Sequence, residues 1–176
     1  MATIPSFSTA SAGGTLTAAL WNSNVRDAGN FFLGRPHVIL TQGVAQAIAN
    51  TTFTALTWDT EVRDNDAVHS TVTNTSRMTV VTAGWYRVSG TCGWAGSATG
   101  QRLSRWAVNG TGVEGTEIAF SSALSTTSAV PAVTADFFLN AGDFVELFVW
   151  QNTGGSLNTN IGSTTKSRAQ LLWLAQ

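Results

Sequence analysis

At 176 residues the chain is long enough for one domain that buries roughly 70% of its unfolded surface without disulfide or metal staples. A net charge of −1, with eight Arg and one Lys scattered singly, gives no basic stripe for nucleic acid, and no run approaches the roughly 18 apolar residues of a membrane span. A lone cysteine excludes an internal disulfide, and 11% charged residues against the usual roughly 25% leaves a surface of Thr, Ser, Asn and Gly, or one covered by other subunits.

Residues 1–14 are polar, end in Ala-Gly-Gly, and read as an extended arm that needs a neighbour to become ordered. The opening residues carry no basic leader and no long apolar run, so synthesis and assembly in a cytoplasm are expected. From Thr17 to Leu33 the pattern turns helical: Trp21, Val25, Ala28 and Phe32 form one stripe, with Thr17 as N-cap, Gly34 just past the end and Pro36 as the stop. That stripe needs a surface. It packs on its own domain, meets copies of itself, or docks on a larger assembly, and the sequence leaves the three open.

After Pro36 the pattern is β throughout. Short strands are expected at Val38–Thr41, Ala45–Ala49, Thr52–Trp58, Val68–Thr73 and Arg77–Val81. The organising strand runs from Gly84 to Gly96, with Tyr86, Val88, Cys92 and Trp94 on one face and Arg87, Ser89 and Thr91 on the other. Arg77–Val81 is its expected hairpin partner. Further strands are expected at Arg102–Val108, ended by Asn109-Gly110, and at Glu117–Ser121, Ala132–Leu139, Phe144–Gln151 and Ala169–Ala175. About ten short strands with Gly, Asn, Asp and Ser turns predict an all-β, two-sheet jelly-roll sandwich. In Phe144–Trp150 and Leu171–Leu174 both faces of the pleat are apolar, which predicts a second cover, most simply another subunit. Phe144, Phe148, Trp150, Leu171 and Trp173 are therefore the expected interface residues.

Chemistry is sparse. Asp59, Glu61, Asp64 and Asp66, with His69 behind them, are four carboxylates in eight residues, the type of hard oxygen ligand that Ca2+ takes. The spacing is not that of an EF-hand, and the default reading is a solvated acidic loop with Arg63 as counterion. Trp58 borders this loop, where an exposed aromatic would stack on a sugar ring; core packing is the default. Cys92, on the apolar face of its strand, reads as a buried, inert thiol. No nucleophile elbow, phosphate loop or zinc-protease motif occurs, so no catalytic residue, no enzyme activity and no cofactor are expected.

Gly84-Trp85-Tyr86, Asn109-Gly110, and Ala141-Gly142-Asp143 followed by Val145-Glu146-Leu147 resemble, in this order, the signature of the C1q/TNF-like jelly roll, over about residues 37–176. The resemblance implies a jelly-roll homotrimer. A second stretch, Leu16-Thr17-Ala18-Ala19, Asn24-Val25-Arg26-Asp27, Leu33 and Pro36, resembles a leader on structural proteins of tailed bacteriophages. It implies a division into an attachment segment, 1–35, and a displayed jelly-roll domain, 36–176. Leu16, Leu20, Trp21, Val25 and Phe32 then become the expected attachment residues. The function implied is a trimeric decoration protein on the surface of the virion, bound to the major capsid protein. The alternative is a tail-associated receptor- or carbohydrate-binding protein, bound to tail proteins and meeting the host through the loops near Trp58 and Ser97–Gly100.

Overall fold

A computed structural model describes residues 2–9, 12–121 and 126–176. A helical segment opens the chain: α1 (Ala18–Trp21), a π-helical turn (Asn22–Arg26) and α2 (Asp27–Leu33). Thirteen strands follow among the described residues: β1 (His37–Thr41), β2 (Ala47–Ile48), β3 (Thr54–Ala55), β4 (Thr60–Asp64), β5 (Met78–Thr79), β6 (Gly84–Trp94) and β7 (Gln101–Val108). Then come β8 (Thr111–Gly112), β9 (Ile118–Ser121), β10 (Ser128–Leu139), β11 (Phe144–Gln151), β12 (Leu157–Asn158) and β13 (Arg168–Ala175).

One large sheet has the order β10-β6-β13-β1-β4; the other runs β3-β11-β7-β8, with β5 also pairing β11 and β9 pairing β7, and β12 and β2 form a separate two-stranded pair. All these pairings are antiparallel. The core lies between the two sheets. Val38, Leu40, Tyr86, Val88, Cys92 and Trp94 face Trp106, Val145, Leu147 and Val149, all within one buried cluster. The two-period reading of β6 holds: its apolar set is fully buried, while Arg87 is exposed and Ser89 and Thr91 are half-exposed. Burial pushes the Cys92 thiol pKa up, as expected of an inert core thiol.

The motif residues have local physical jobs. Gly84 adopts φ +152°, and a Cβ there would meet the Trp173 indole and lie 2.5 Å from the Ala175 carbonyl oxygen. Tyr86 is buried and donates its hydroxyl to Thr82 O at 2.6 Å. Burial, with Asp66 nearby, raises its pKa. Asn109 and Gly110 both have positive φ, the geometry of a tight hairpin turn.

Asn109 also reaches the next turn, donating Nδ2–H to Asp143 Oδ1 at 2.8 Å and accepting from Phe144 N at 3.0 Å. The Asn-Gly and Gly-Asp motifs are therefore one unit, with Asp143 as the clasp. The hydrogen bond from Asn109, then that from the Asn140 backbone, holds the Asp143 carboxyl below its ordinary value. A depressed folded-state pKa stabilises above the unfolded value, near 3.8, and the contribution is lost as pH falls through the folded value. The stability gap between wild type and Asp143→Asn should therefore shrink from about pH 6 to about pH 3, read from urea midpoints.

Several sequence expectations are corrected. The acidic stretch is not a loop: Thr60–Asp64 forms β4, the edge strand beside β1. Val68–Thr73 is not a strand. Asp64 accepts backbone N–H groups from Asp66, Val68 and His69 at 3.2, 3.1 and 2.8 Å, and these bonds turn the chain out of the sheet. Of Thr52–Trp58 only Thr54–Ala55 pairs. Arg77–Val81 is not the hairpin partner of β6: its ordered part, β5, pairs β11, and β6 lies between β10 and β13. Nor does the arm need a second chain. Ser8 N and O bond the Asn24 side chain at 2.9 and 3.0 Å, Ala2 N donates to Asp66, and Ala2 and Ile4 pack on the core.

Candidate assembly and docking surface

The helical segment begins as its sequence demands, with Thr17 Oγ1 accepting the Leu20 N–H at 3.1 Å. Asn22, Ser23 and Asn24 then favour local side-chain bonds over regular helix. Ser23 Oγ donates to Leu20 O at 3.2 Å, and the turn widens to π geometry. The wide turn shifts the register between α1 and α2. Ala28 and Phe31 are buried, and the Phe31 ring meets Trp173 edge-on at 4.8 Å. Gly34 closes α2 through bonds to Asn30 O and Phe31 O, but at φ −118°, without a left-handed residue.

The other face of the helix is uncovered. Trp21 is 51% exposed, Phe32 65% and Leu33 85%, with Leu16 and Val25 exposed beside them and Leu20 half-buried. Four of the five predicted attachment residues thus present apolar surface to solvent. The predicted stripe is split: Ala28 turns inward, and Phe31, which the spacing did not select, replaces Phe32 in the core.

The outward face of the five-stranded sheet carries a second apolar feature. Trp85 on β6 and Phe138 on β10 are cross-strand partners, each 46% exposed, with rings edge-to-face at 6.1 Å. Beside them Arg87 donates to Asp136 through Nε at 2.8 Å and Nη2 at 2.7 Å. This bond from Arg87 lowers the Asp136 pKa; being exposed, the pair adds little to stability. Leu172 and Leu174 of β13 share this face and are half-buried. The signal for Trp85 lay in its parity: it alternates with Arg87 and Ser89 on the wet face, opposite Tyr86.

The predicted subunit interface needs revision. Leu171 and Trp173 are 1% and 5% exposed, because β13 is the middle strand of its sheet and both residues point into the sandwich. Trp173 is further covered by Phe31 and donates Nε1–H to Ala83 O at 3.2 Å. Phe144, Phe148 and Trp150 do face outward but are half-buried by their own chain. The Arg77 guanidinium lies 4.0 Å from the Phe144 ring, and Phe53 packs on Trp150 at 6.4 Å while Arg105 stacks on Phe53 at 3.7 Å. Arg77 and Phe53 of the same chain thus shield part of the apolar outer face of β11.

The four carboxylates are likewise spoken for. Asp59 accepts Gly43 N, Val44 N and Thr60 Oγ1 at 2.6, 2.7 and 2.7 Å; burial opposes its ionisation, yet these bonds and Lys166 leave its pKa lowered. Glu61 Oε1 lies 2.8 Å from His69 Nδ1, Asp64 closes its turn, and Asp66 lies 3.1 Å from the Thr82 hydroxyl. Among the described residues no group of three or more His, Cys, Asp or Glu is placed to hold a metal. Trp58, offered for a sugar ring, is 1% exposed in the core. The Ser97–Gly100 loop is fastened from beneath: buried Arg102 donates to the carbonyls of Ser97, Thr99 and Gly100 at 3.0 to 3.1 Å.

No family model and no curated protein matches the sequence. Solved structures do. The chain superposes on murine APRIL at pH 5.0 with a TM-score of 0.57 at 9% identity, over 78% of this chain and 98% of that one. Eiger TNF from S. frugiperda gives 0.56 at 20% identity, over 81% and 95%. At these identities what is shared is the fold, and that fold is a TNF-like jelly roll.

Proposed function

We propose that the chain is a non-enzymatic structural protein of a tailed-bacteriophage virion: a homotrimeric jelly roll that decorates the head, fixed to the capsid shell through its N-terminal helix. The observation that carries this reading is the exposed apolar helix face of Trp21, Val25, Phe32 and Leu33, with Leu16 just ahead of the helix, on a chain whose other large apolar residues are mostly packed. The resemblance of the leader stretch to phage structural proteins supports the attachment role, and the resemblance to C1q/TNF-like domains supports the trimer. Trp85 and Phe138, with Leu172 and Leu174, are the surface assigned to the neighbouring subunit.

The magnitudes favour a multivalent attachment. Covering Trp21, Val25, Phe32 and Leu33, already partly shielded, yields roughly 5 kcal/mol, which is close to the about 4 kcal/mol minimum that association costs. One helix binds weakly; three on one trimer bind through effective concentration. A three-fold particle also suits a site of matching symmetry on an icosahedral shell.

The test is a triple variant, Trp21→Ser, Val25→Ser and Phe32→Ser. These side chains are exposed, so its thermal midpoint should stay within a few degrees of wild type. Its cosedimentation with purified capsid shells should vanish, and undiminished binding would remove the attachment role.

A further inference from the structure

The arginines divide into distinct groups. Arg26, Arg77, Arg87 and Arg105 each face a carboxylate, on Asp27, Glu146, Asp136 and Glu117, and Arg102 is buried against carbonyls. The other three, Arg35, Arg63 and Arg168, have no side-chain hydrogen bond or ion pair among the described residues, yet the positive charge of all three is felt at one residue, His37. In a chain of net charge −1 this local excess of positive charge is not a bulk property.

The sheet register explains the gathering. His37, Ile39 and Thr41 alternate outward on β1; Ile39 is opposite both Arg63 on β4 and Gln170 on β13, and Thr41 is opposite Arg168. One strand, β1, lies between those of Arg63 and Arg168; two strand spacings and a two-residue offset put their backbones about 12 Å apart, within the combined reach of two arginines. Next to Arg168 the sheet surface is dished into a pocket of about 260 Å3, lined by Ser89, Gly90, Thr91, Arg168 and Gln170. Its donors are directly paired across β6 and β13, Gln170 opposite Ser89 and Arg168 opposite Thr91. None of the four side chains is engaged elsewhere among the described residues. A guanidinium, two hydroxyls and a carboxamide converge on one open hollow with no carboxylate among its lining residues.

We propose that this hollow is an oxyanion site, in which Arg168, Ser89, Thr91 and Gln170 hold a phosphate, sulfate or carboxylate group and Arg63 and Arg35 draw it in. Arginine suits the planar, two-toothed contact that such groups offer, and hydroxyl and amide donors complete the shell. The anion is either free in the medium or carried by the acidic side chains of a protein partner. The site borders the surface assigned to the neighbouring subunit without including it: its nearest residue on β6, Ser89, is four positions from Trp85, about 13 Å, and Gln170 is two positions from Leu172 on β13. It also stands without the virion reading, since it rests only on the sheet's own residues.

His37 is the built-in reporter. Burial, then Arg63, Arg35 and Arg168, depress its pKa; a bound anion offsets the arginines and raises it. The experiment titrates the full chain with inorganic phosphate and, separately, with a hexaglutamate peptide, at constant ionic strength. It follows the His37 ring by NMR, with His69 as internal control and sodium chloride as the blank. The expected result is a saturable His37 response with a raised pKa, absent in chloride and weakened at least tenfold by Arg168→Gln. Arg168→Lys should recover part of the affinity, and Arg26→Gln, outside the patch, should leave it unchanged. The probe that saturates at lower concentration identifies the source as free ion or protein. A linear response matched by chloride, or equal binding by a folded Arg168→Gln variant, would overturn the assignment.

Discussion

Gly84→Ala should lower stability by about 4 kcal/mol, most of the stability of a protein at the low end of the usual range of about 5–15 kcal/mol. Two costs combine. The backbone at φ +152° lies where a side chain is strained by about 1–2 kcal/mol, and the new Cβ drives into the Trp173 indole and the Ala175 carbonyl. Neither obstacle yields easily, since Trp173 is wedged between Phe31 and the core and Ala175 belongs to the paired strand β13. The control is Gly29→Ala in α2, where a Cβ meets nothing within 4 Å. It should stabilise the helix by up to about 1 kcal/mol, so urea midpoints of the two variants should move in opposite directions. A Gly84→Ala protein with wild-type stability would show that the first motif residue is not there for close approach.

Trp173→Ala should cost about 4 kcal/mol and, unlike other core truncations, should also release the helical segment. The indole fills the end of the sandwich, bonds Ala83 O and receives the Phe31 ring. Phe31→Ala attacks the same joint from the other side. Its effect on global unfolding is capped by the free energy that docks the helix, because once undocked the helix contributes nothing further. Limited proteolysis near residues 18–33 should therefore accelerate in both variants, while the thermal midpoint of the jelly roll falls sharply only in Trp173→Ala. Equal midpoints for the two would mean that helix and sandwich unfold as one unit.

What the sequence made legible follows from where one constraint dominates. β11 lies at Phe144–Gln151, and β6, β7 and β13 fall within two residues of their expected bounds, because long alternating apolar runs leave one register that buries them. The short strands β3 and β5 were misjudged where propensity met tertiary pairing: β-branched residues ran on past the partner that β11 offers. The acidic stretch, expected as a solvated loop, is in part an edge strand: its carboxylates bond backbone amides and a histidine close in sequence, and such local bonds leave no trace in the hydropathy pattern.

The exposed surfaces were partly legible. Trp21, Val25 and Phe32 formed a visible stripe, but nothing in spacing told that Phe31 would take the core and leave Phe32 outside, since a π turn is set by local side-chain bonds. The apolar outer face of β11 pointed to a second subunit, and part of its cover comes from the same chain, from Arg77 over Phe144 and from Phe53, itself under Arg105, beside Trp150. Arginine stems and planes shield apolar surface well, and a charged letter in the sequence conceals that. The hollow at Arg168 was unreadable in one dimension, because its residues come from strands about 80 positions apart that only the β6–β13 register joins.

The multivalent attachment on which the functional account turns requires that the uncovered Trp85 and Phe138 be shared between copies of the chain. Sedimentation equilibrium of the full chain at micromolar concentration measures this directly. The account predicts a species of three times 18.5 kDa that falls to a single chain in Trp85→Ser with Phe138→Ser. A wild-type protein that stays at 18.5 kDa up to high micromolar concentration would contradict it.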